Sequence, residues 1–302
     1  MSNTIKRLPY TLLLTTGALL LCSVAALAQD PNDMKTGSVL FYNHYTSSGS
    51  DPSLEDTQIN ITNTHPTSFV SVHLFFVDGS SCNVADSFIS LTPNQTAQFL
   101  ASDIDPGVQG YLVAVAFSGF VPRQFNYLTG NAYIRRADGK RADLPAVAVQ
   151  KVSTAVNDNG NGTVSLMFNG ADYGRLPGTV AVSSFNSPAT DDTSVFLYSP
   201  RNLTIGDDAT IGIFALVYNE VEAVGSTNFF IRCYTEVRLR NLRVVGTING
   251  FIPAGSVGWM KMSNNRPLLG ASLSIGSGFT GGRNLTCLSL FPSWTIIVPG
   301  GF

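Results

Sequence analysis

Histidine is the scarcest chemistry-bearing residue in this chain: 302 residues contain three, His44, His65 and His73. A serine or cysteine nucleophile ordinarily needs an imidazole or a similar base beside it. None of the three lies near a Gly-x-Ser-x-Gly elbow, a motif the chain lacks altogether. Their spacing also matches no zinc-binding pattern. Charge is sparse, at 13% of residues, and the 18 basic side chains do not outnumber the 20 acidic ones. That balance argues against a nucleic-acid binder. Helical periodicity is nearly missing, and no apolar run after the first 28 residues is long enough to span a bilayer.

What is present begins with an export signal. Lys6 and Arg7 precede an apolar stretch, Thr11 to Val24, too short for a membrane helix. Ala26-Leu27-Ala28 then sets small residues where signal peptidase reads them, predicting a cut before Gln29. Cleavage leaves 274 residues with 16 basic and 20 acidic side chains, a net charge of −4. Lipid attachment at Cys22 would need a small residue before it, where Leu21 stands, so lipoprotein anchoring is disfavoured. The expected location is therefore secreted, periplasmic or cell-surface.

Period-two alternation recurs from Gly37 to the C-terminus and predicts an all-β chain. Val70, Val72, Leu74 and Phe76 define one packed face, with Ser71 and His73 predicted to face solvent. Phe229 to Arg240 reads as one long strand. Turn signals such as Asp78-Gly79-Ser80 and Asp105-Pro106-Gly107 separate the strands at the spacing of sandwiches and barrels. The pattern of elements repeats at an offset of about 140 residues, an internal duplication in pattern rather than identity. The expectation is two tandem antiparallel β-sandwiches: residues 29–156 and 179–302, joined by a turn-rich connecting segment at 157–178 that holds the strand-like run Val164 to Phe168.

Three cysteines remain after cleavage, which allows one bridge and a spare thiol. Cys233 and Cys287 fall in the same half and are the preferred pair, against an alternative of three buried thiols packing as small hydrophobes.

Thr57 to Phe117 resembles the immunoglobulin-like β-sandwich modules of exported bacterial proteins. The likeness rests on Asn60 and Asn63, the Asp78-Gly79 turn, Leu91 to Thr96 and the closing strand Gly110 to Phe117. It implies a sandwich in an extracytoplasmic setting and carries over no catalytic residue.

Arg232, Arg238, Arg240 and Arg243, beside Glu236, form a candidate interaction face for carboxylates or anionic glycans. Tyr42, Tyr45, Tyr127, Tyr133, Trp259 and Trp294 are candidate sugar platforms. Loop carboxylates at Asp51, Glu55 and Asp56, at Asp103 and Asp105, at Asp191 and Asp192, and at Asp207 and Asp208 could take calcium, although turn chemistry accounts for them without an ion. No catalytic residue, metal ligand or cofactor is assigned. The expected function is an exported, non-enzymatic structural, adhesive or surface-assembly protein whose partner is a surface protein or a glycan. A carbohydrate-binding module and a hydrolase with paired carboxylates are the alternatives.

Overall fold

The computed structural model describes residues 31, 33, 35–204, 209–244 and 246–300. The predicted signal sequence, its cut and Cys22 lie outside them, as do Asp207 and Asp208. Among the described residues no helix is long and apolar enough to cross a membrane.

The first ten strands are β1 (Val39–Thr46), β2 (Asp56–Asn63), β3 (Val70–Asp78), β4 (Val84–Leu91), β5 (Thr96–Leu100), β6 (Gln109–Ser118), β7 (Val121–Pro122), β8 (Leu128–Arg135), β9 (Arg141–Pro145) and β10 (Val147–Val149). Then come β11 (Asn157–Asp158) and β12 (Thr163–Phe168). The later half holds β13 (Pro177–Asn186), β14 (Asp192–Tyr198), β15 (Ile211–Asn219), β16 (Val224–Ile231), β17 (Tyr234–Arg238), β18 (Arg243–Val244) and β19 (Gly246–Thr247). It closes with β20 (Val257–Ser263), β21 (Leu269–Gly276), β22 (Phe279–Asn284), β23 (Thr286–Leu290) and β24 (Trp294–Pro299).

These strands make five sheets and a two-stranded ribbon, β18-β19. Sheet I has the order β10-β1-β6-β3-β4, with β7 beside β6; sheet II is β5-β2-β8-β9; sheet III is β11-β12-β24. Sheet IV is β17-β14-β21-β22, and sheet V is β16-β15-β20-β13-β23. The strand order of sheet I thus recurs in sheet V, and that of sheet II in sheet IV.

The all-β class stands, but the expected pair of tandem sandwiches is corrected: the chain is a five-bladed, propeller-like set of small sheets. Its blades are not the sequential meanders of ordinary propellers, since each interleaves strands distant in sequence. Successive blades meet face against face. Sheet II packs under sheet I, where Phe99 meets Phe76 and the Tyr42 hydroxyl donates to Asn60 O at 2.8 Å. The other face of sheet I is covered by sheets III and IV, through Phe41 on Phe168 and Tyr111 stacked on Tyr198 with centroids 3.8 Å apart. Sheet IV turns its second face, with Val195 and Leu197, to Ile213, Val217 and Met260 of sheet V.

The physical reason is in the strands themselves. β1 and β14 are buried over almost every position, as strands covered on both faces must be. One core cluster consequently runs through both halves, joining Phe75, Tyr111 and Val113 to Leu166, Phe196, Tyr198 and Ile296. His73, expected to face solvent, is 1% exposed. It stacks on Phe88 and bonds Asp86 at 3.0 Å, because its face of sheet I is an interior one.

The segment 157–178 is no simple connector. β12 pairs over its whole length with β24, so the C-terminal strand returns to complete sheet III. The predicted long strand Phe229 to Arg240 is also divided. β16 ends at Ile231 in sheet V, a bend at Arg232 and Cys233 follows, and β17 starts at Tyr234 in sheet IV.

Candidate functional site

The two halves meet through a buried polar junction. β1 brings Asn43 and His44, and the β8–β9 turn brings Arg136, Asp138 and Lys140. From sheet IV come Asp192, Phe196, Tyr198, Tyr234 and Glu236. His44 stacks on Phe196 at 3.9 Å and bonds the Tyr234 hydroxyl through Nδ1, while Arg136 Nη1 lies 3.4 Å from Nε2. A guanidinium can only donate, so Nε2 accepts and the imidazole proton rests on Nδ1. Burial, reinforced by the Arg136 charge, holds the His44 pKa well below its ordinary value, with Asp138 opposing. Arg136 also donates to Glu236 at 3.0 Å, and Lys140 Nζ reaches Asp192 at 2.6 Å and Asp138 at 3.0 Å. Every charge in this junction faces an opposite one, the condition under which buried charge is tolerated.

The same junction corrects the cysteine pairing. Cys233 is fully buried at the bend between β16 and β17 and is bridged to Cys82, with Cα atoms 5.4 Å apart. Cys82 follows the Asp78-Gly79 turn, at a φ of 65°. Cys287 lies on β23, its Sγ 3.4 Å from Ser289 O, outside the bridge. The bend turns Cys233 away from sheet V and toward the first half, a change of direction that sequence alternation does not signal.

The four arginines stand on four different elements. Arg232 is in the bend; Arg238, on β17, lies 3.3 Å from Glu236; Arg240, in the turn Leu239–Asn241, lies 3.5 Å from Asp192; Arg243 is on β18. They do not share one sheet face, because the strand expected to carry them ends at Arg238. The histidines are likewise dispersed. His65 accepts from Thr67 and Ser68 backbone N–H groups in a loop, while His44 and His73 sit in separate packing environments. Most of the loop carboxylates are engaged locally. Asp56 accepts from Thr57 and Ser102, Asp103 from Leu100 N, and Asp105 from the Tyr45 hydroxyl. Among the described residues no three His, Cys, Asp or Glu side chains are grouped to hold a metal ion.

Of the aromatic candidates, Tyr42 and Tyr45 are core, and Trp294 donates from Nε1 to Pro200 O at 2.8 Å. Trp259 is open. It belongs to the outer face of sheet V, where Tyr218 and Trp259 stack at 3.9 Å with Phe214, Leu216, Val224 and Phe230 around them. Phe214 is 47% exposed and Phe230 69%. This is the clearest contiguous apolar patch on the described surface, and patches of this kind mark binding surfaces. β15 signals it in retrospect, since IGIFALVY is apolar in both phases of the alternation.

A second feature is a cleft of about 240 Å³ between β13 and β21–β22. Asp191, 8% exposed, accepts from Asn186 Nδ2 at 2.6 Å. Arg283 Nη1 donates to the hydroxyls of Ser183 and Ser184 at 3.1 and 3.2 Å, and the exposed Phe279 ring forms the rim. Gly276 is required here, because a Cβ would lie 2.6 Å from Asp191 Oδ1. Carboxylate, amide, guanidinium, hydroxyls and an open ring together can hydrogen-bond and stack a small polyol. The sequence marks Asp191 only as a loop acid and gives no signal for Asn186, Phe279 or Arg283. Their convergence depends on the β13 register break between Val182 and Phe185.

No protein-family model matches the chain, and no curated protein matches it either. The class defined by the structure is accordingly an all-β, five-sheet protein with a disulfide between its halves and an open apolar sheet face.

Proposed function

We propose that this chain is an exported, non-enzymatic structural or adhesive protein that assembles at the cell envelope or outside the cell. The observation carrying this reading is the outer face of sheet V, where Phe214, Leu216, Tyr218, Trp259 and Phe230 lie contiguous and uncovered by any other blade. The Cys82–Cys233 bridge supports the compartment, since such bonds persist in oxidising surroundings. Fractionating expressing cells and sequencing the protein's N-terminus by mass spectrometry tests export. A chain beginning at Gln29 in the secreted, periplasmic or surface fraction is expected; a cytoplasmic chain that keeps Met1 to Ala28 refutes it. Failure to associate with envelope fractions or any surface protein would refute the adhesive role.

Carbohydrate binding is the second reading, favoured by the Asp191, Asn186, Arg283 and Phe279 cleft. A glycan array with and without calcium tests it, and signal lost on Asp191→Asn or Phe279→Ala is the expected result. An array with no signal removes this reading.

A further inference from the structure

Sheets I and V share more than strand order. β1 pairs with β6 from Val39 to Tyr42, breaks register, and resumes at Tyr45 opposite Gly110. β13 pairs with β20 from Thr179 to Val182, breaks register, and resumes at Phe185 opposite Gly258. The two glycines occupy the same place: a Cβ on Gly110 would meet Val77 O at 1.8 Å, and one on Gly258 would meet Tyr218 O at 2.9 Å.

With these fixed points the outer faces can be compared position by position. Tyr111 corresponds to Trp259, Val77 to Tyr218, Phe75 to Leu216 and His73 to Phe214. The first set is buried, with Tyr111 stacked on Tyr198 of sheet IV. In the second set Trp259 is 36% exposed, and no other blade covers its face.

The receiving surfaces correspond too. Phe196 and Tyr198 of sheet IV match Asn60 and Thr62 of sheet II, and Glu236 and Arg238 match Gln98 and Leu100. Sheet II presents outward Gln58, Asn60, Thr62 and Gln98 with Leu100 and Tyr133 exposed, and its charges on that face gather toward one end, at Asp56, Arg135, Arg141 and Asp143.

We propose that sheet V of one molecule packs on sheet II of a second copy, continuing between molecules the packing of sheet I on sheet IV within each. The contact is head-to-tail, so it leaves one face of each kind open and propagates. Sheet II is a better occupant than a second sheet V. Lys261, at the position of Val113, sits within the apolar face, and a twofold pairing of two V sheets would set that charge near its own copy. Sheet II carries both signs on its outward positions, Asp143 beside Arg135 and Arg141, so Lys261 does not meet its own charge alone. This proposal rests on the assembly reading above, while its test uses purified protein and does not depend on where the cell puts it.

Protein expressed from the full chain is followed by sedimentation velocity over two decades of concentration, beside Phe214→Asp in sheet V and Leu100→Asp in sheet II. Both side chains are surface-exposed, and circular dichroism confirms that each variant folds. The wild type should grow past the dimer with concentration. Each variant alone should lose at least about tenfold in association, as when an interface hot spot is removed. A mixture of the two should form a one-to-one heterodimer and stop there, because one intact sheet V and one intact sheet II remain. A wild type that stays monomeric overturns the proposal. So does Leu100→Asp dimerising on its own, which would reveal paired V sheets, or a mixture that fails to form the heterodimer. Correct export with no self-association would sink this contact while leaving the export reading intact.

Discussion

Opening the Cys82–Cys233 bridge is the perturbation with the largest calculable effect on this chain. The bridge closes a loop across 151 residues. Chain-entropy reasoning assigns such a loop about 5 kcal/mol at 25 °C through its constraint on the unfolded chain. Besides the backbone itself, this bridge is a covalent tie between the two halves, so the bond opposes their separation as well as their unfolding. Cys82→Ser with Cys233→Ala is the cleaner variant, since an alanine at the fully buried position 233 leaves no unsatisfied hydroxyl. Urea unfolding of wild type and double variant, each with and without reductant, measures the difference. The wild type should lose about 2–5 kcal/mol on reduction, the range usual for native bridges, and the double variant should be indifferent to reductant. Non-reducing peptide mapping supplies the independent check. Recovery of a Cys233–Cys287 peptide, or a wild type whose midpoint ignores reductant, would refute the pairing and the fusion of the halves inferred from it.

Acid should weaken the fold through two buried histidines. Burial depresses the pKa of both His44 and His73, against Asp138 and Asp86 respectively. The unfolded chain thus takes up protons first as pH falls through about 6.5, and stability drops from there until the folded pKa values are reached, by up to about 1.4 kcal/mol per pH unit for each histidine. Unfolding curves at pH 7.5 and about 5.5 should differ accordingly, and His73→Phe should remove its part of the slope. At the buried Lys151–Asp172 pair, where Lys151 also lies 4.4 Å over the Tyr173 ring, Asp172→Ala should cost about 3–5 kcal/mol by stranding the ammonium. Thermal melts should show the double change Lys151→Met, Asp172→Leu recovering most of that loss. Gly110→Ala should prevent soluble expression or cost upward of about 2 kcal/mol, since its Cβ would penetrate Val77 O, whereas Gly281→Ala, facing open space, should stay within about 0.5 kcal/mol.

The sequence alone determined that the chain is β throughout, because period-two alternation with turn residues between the runs is a local property. It placed most strands close to where they lie and marked Val164 to Phe168 as one of them, now β12. It also held a clue to the correction: VLFY of β1 and VFLY of β14 are apolar in both phases, the mark of strands covered on two faces. The blade arrangement was decided only by tertiary packing, because an apolar second face says that something covers it without saying what. The same limit governed the cysteines. Cys233 could be seen to lie on a strand-like segment, but a bend of two residues chose Cys82 over Cys287. It governed the surface too: Trp259 and Tyr111 occupy the same position in matching sheets, and only the presence of sheet IV over one of them makes it core and leaves the other exposed. Residue type sets what a side chain prefers. Which neighbour satisfies that preference is a long-range outcome, fixed when distant sheets compete to cover the same face.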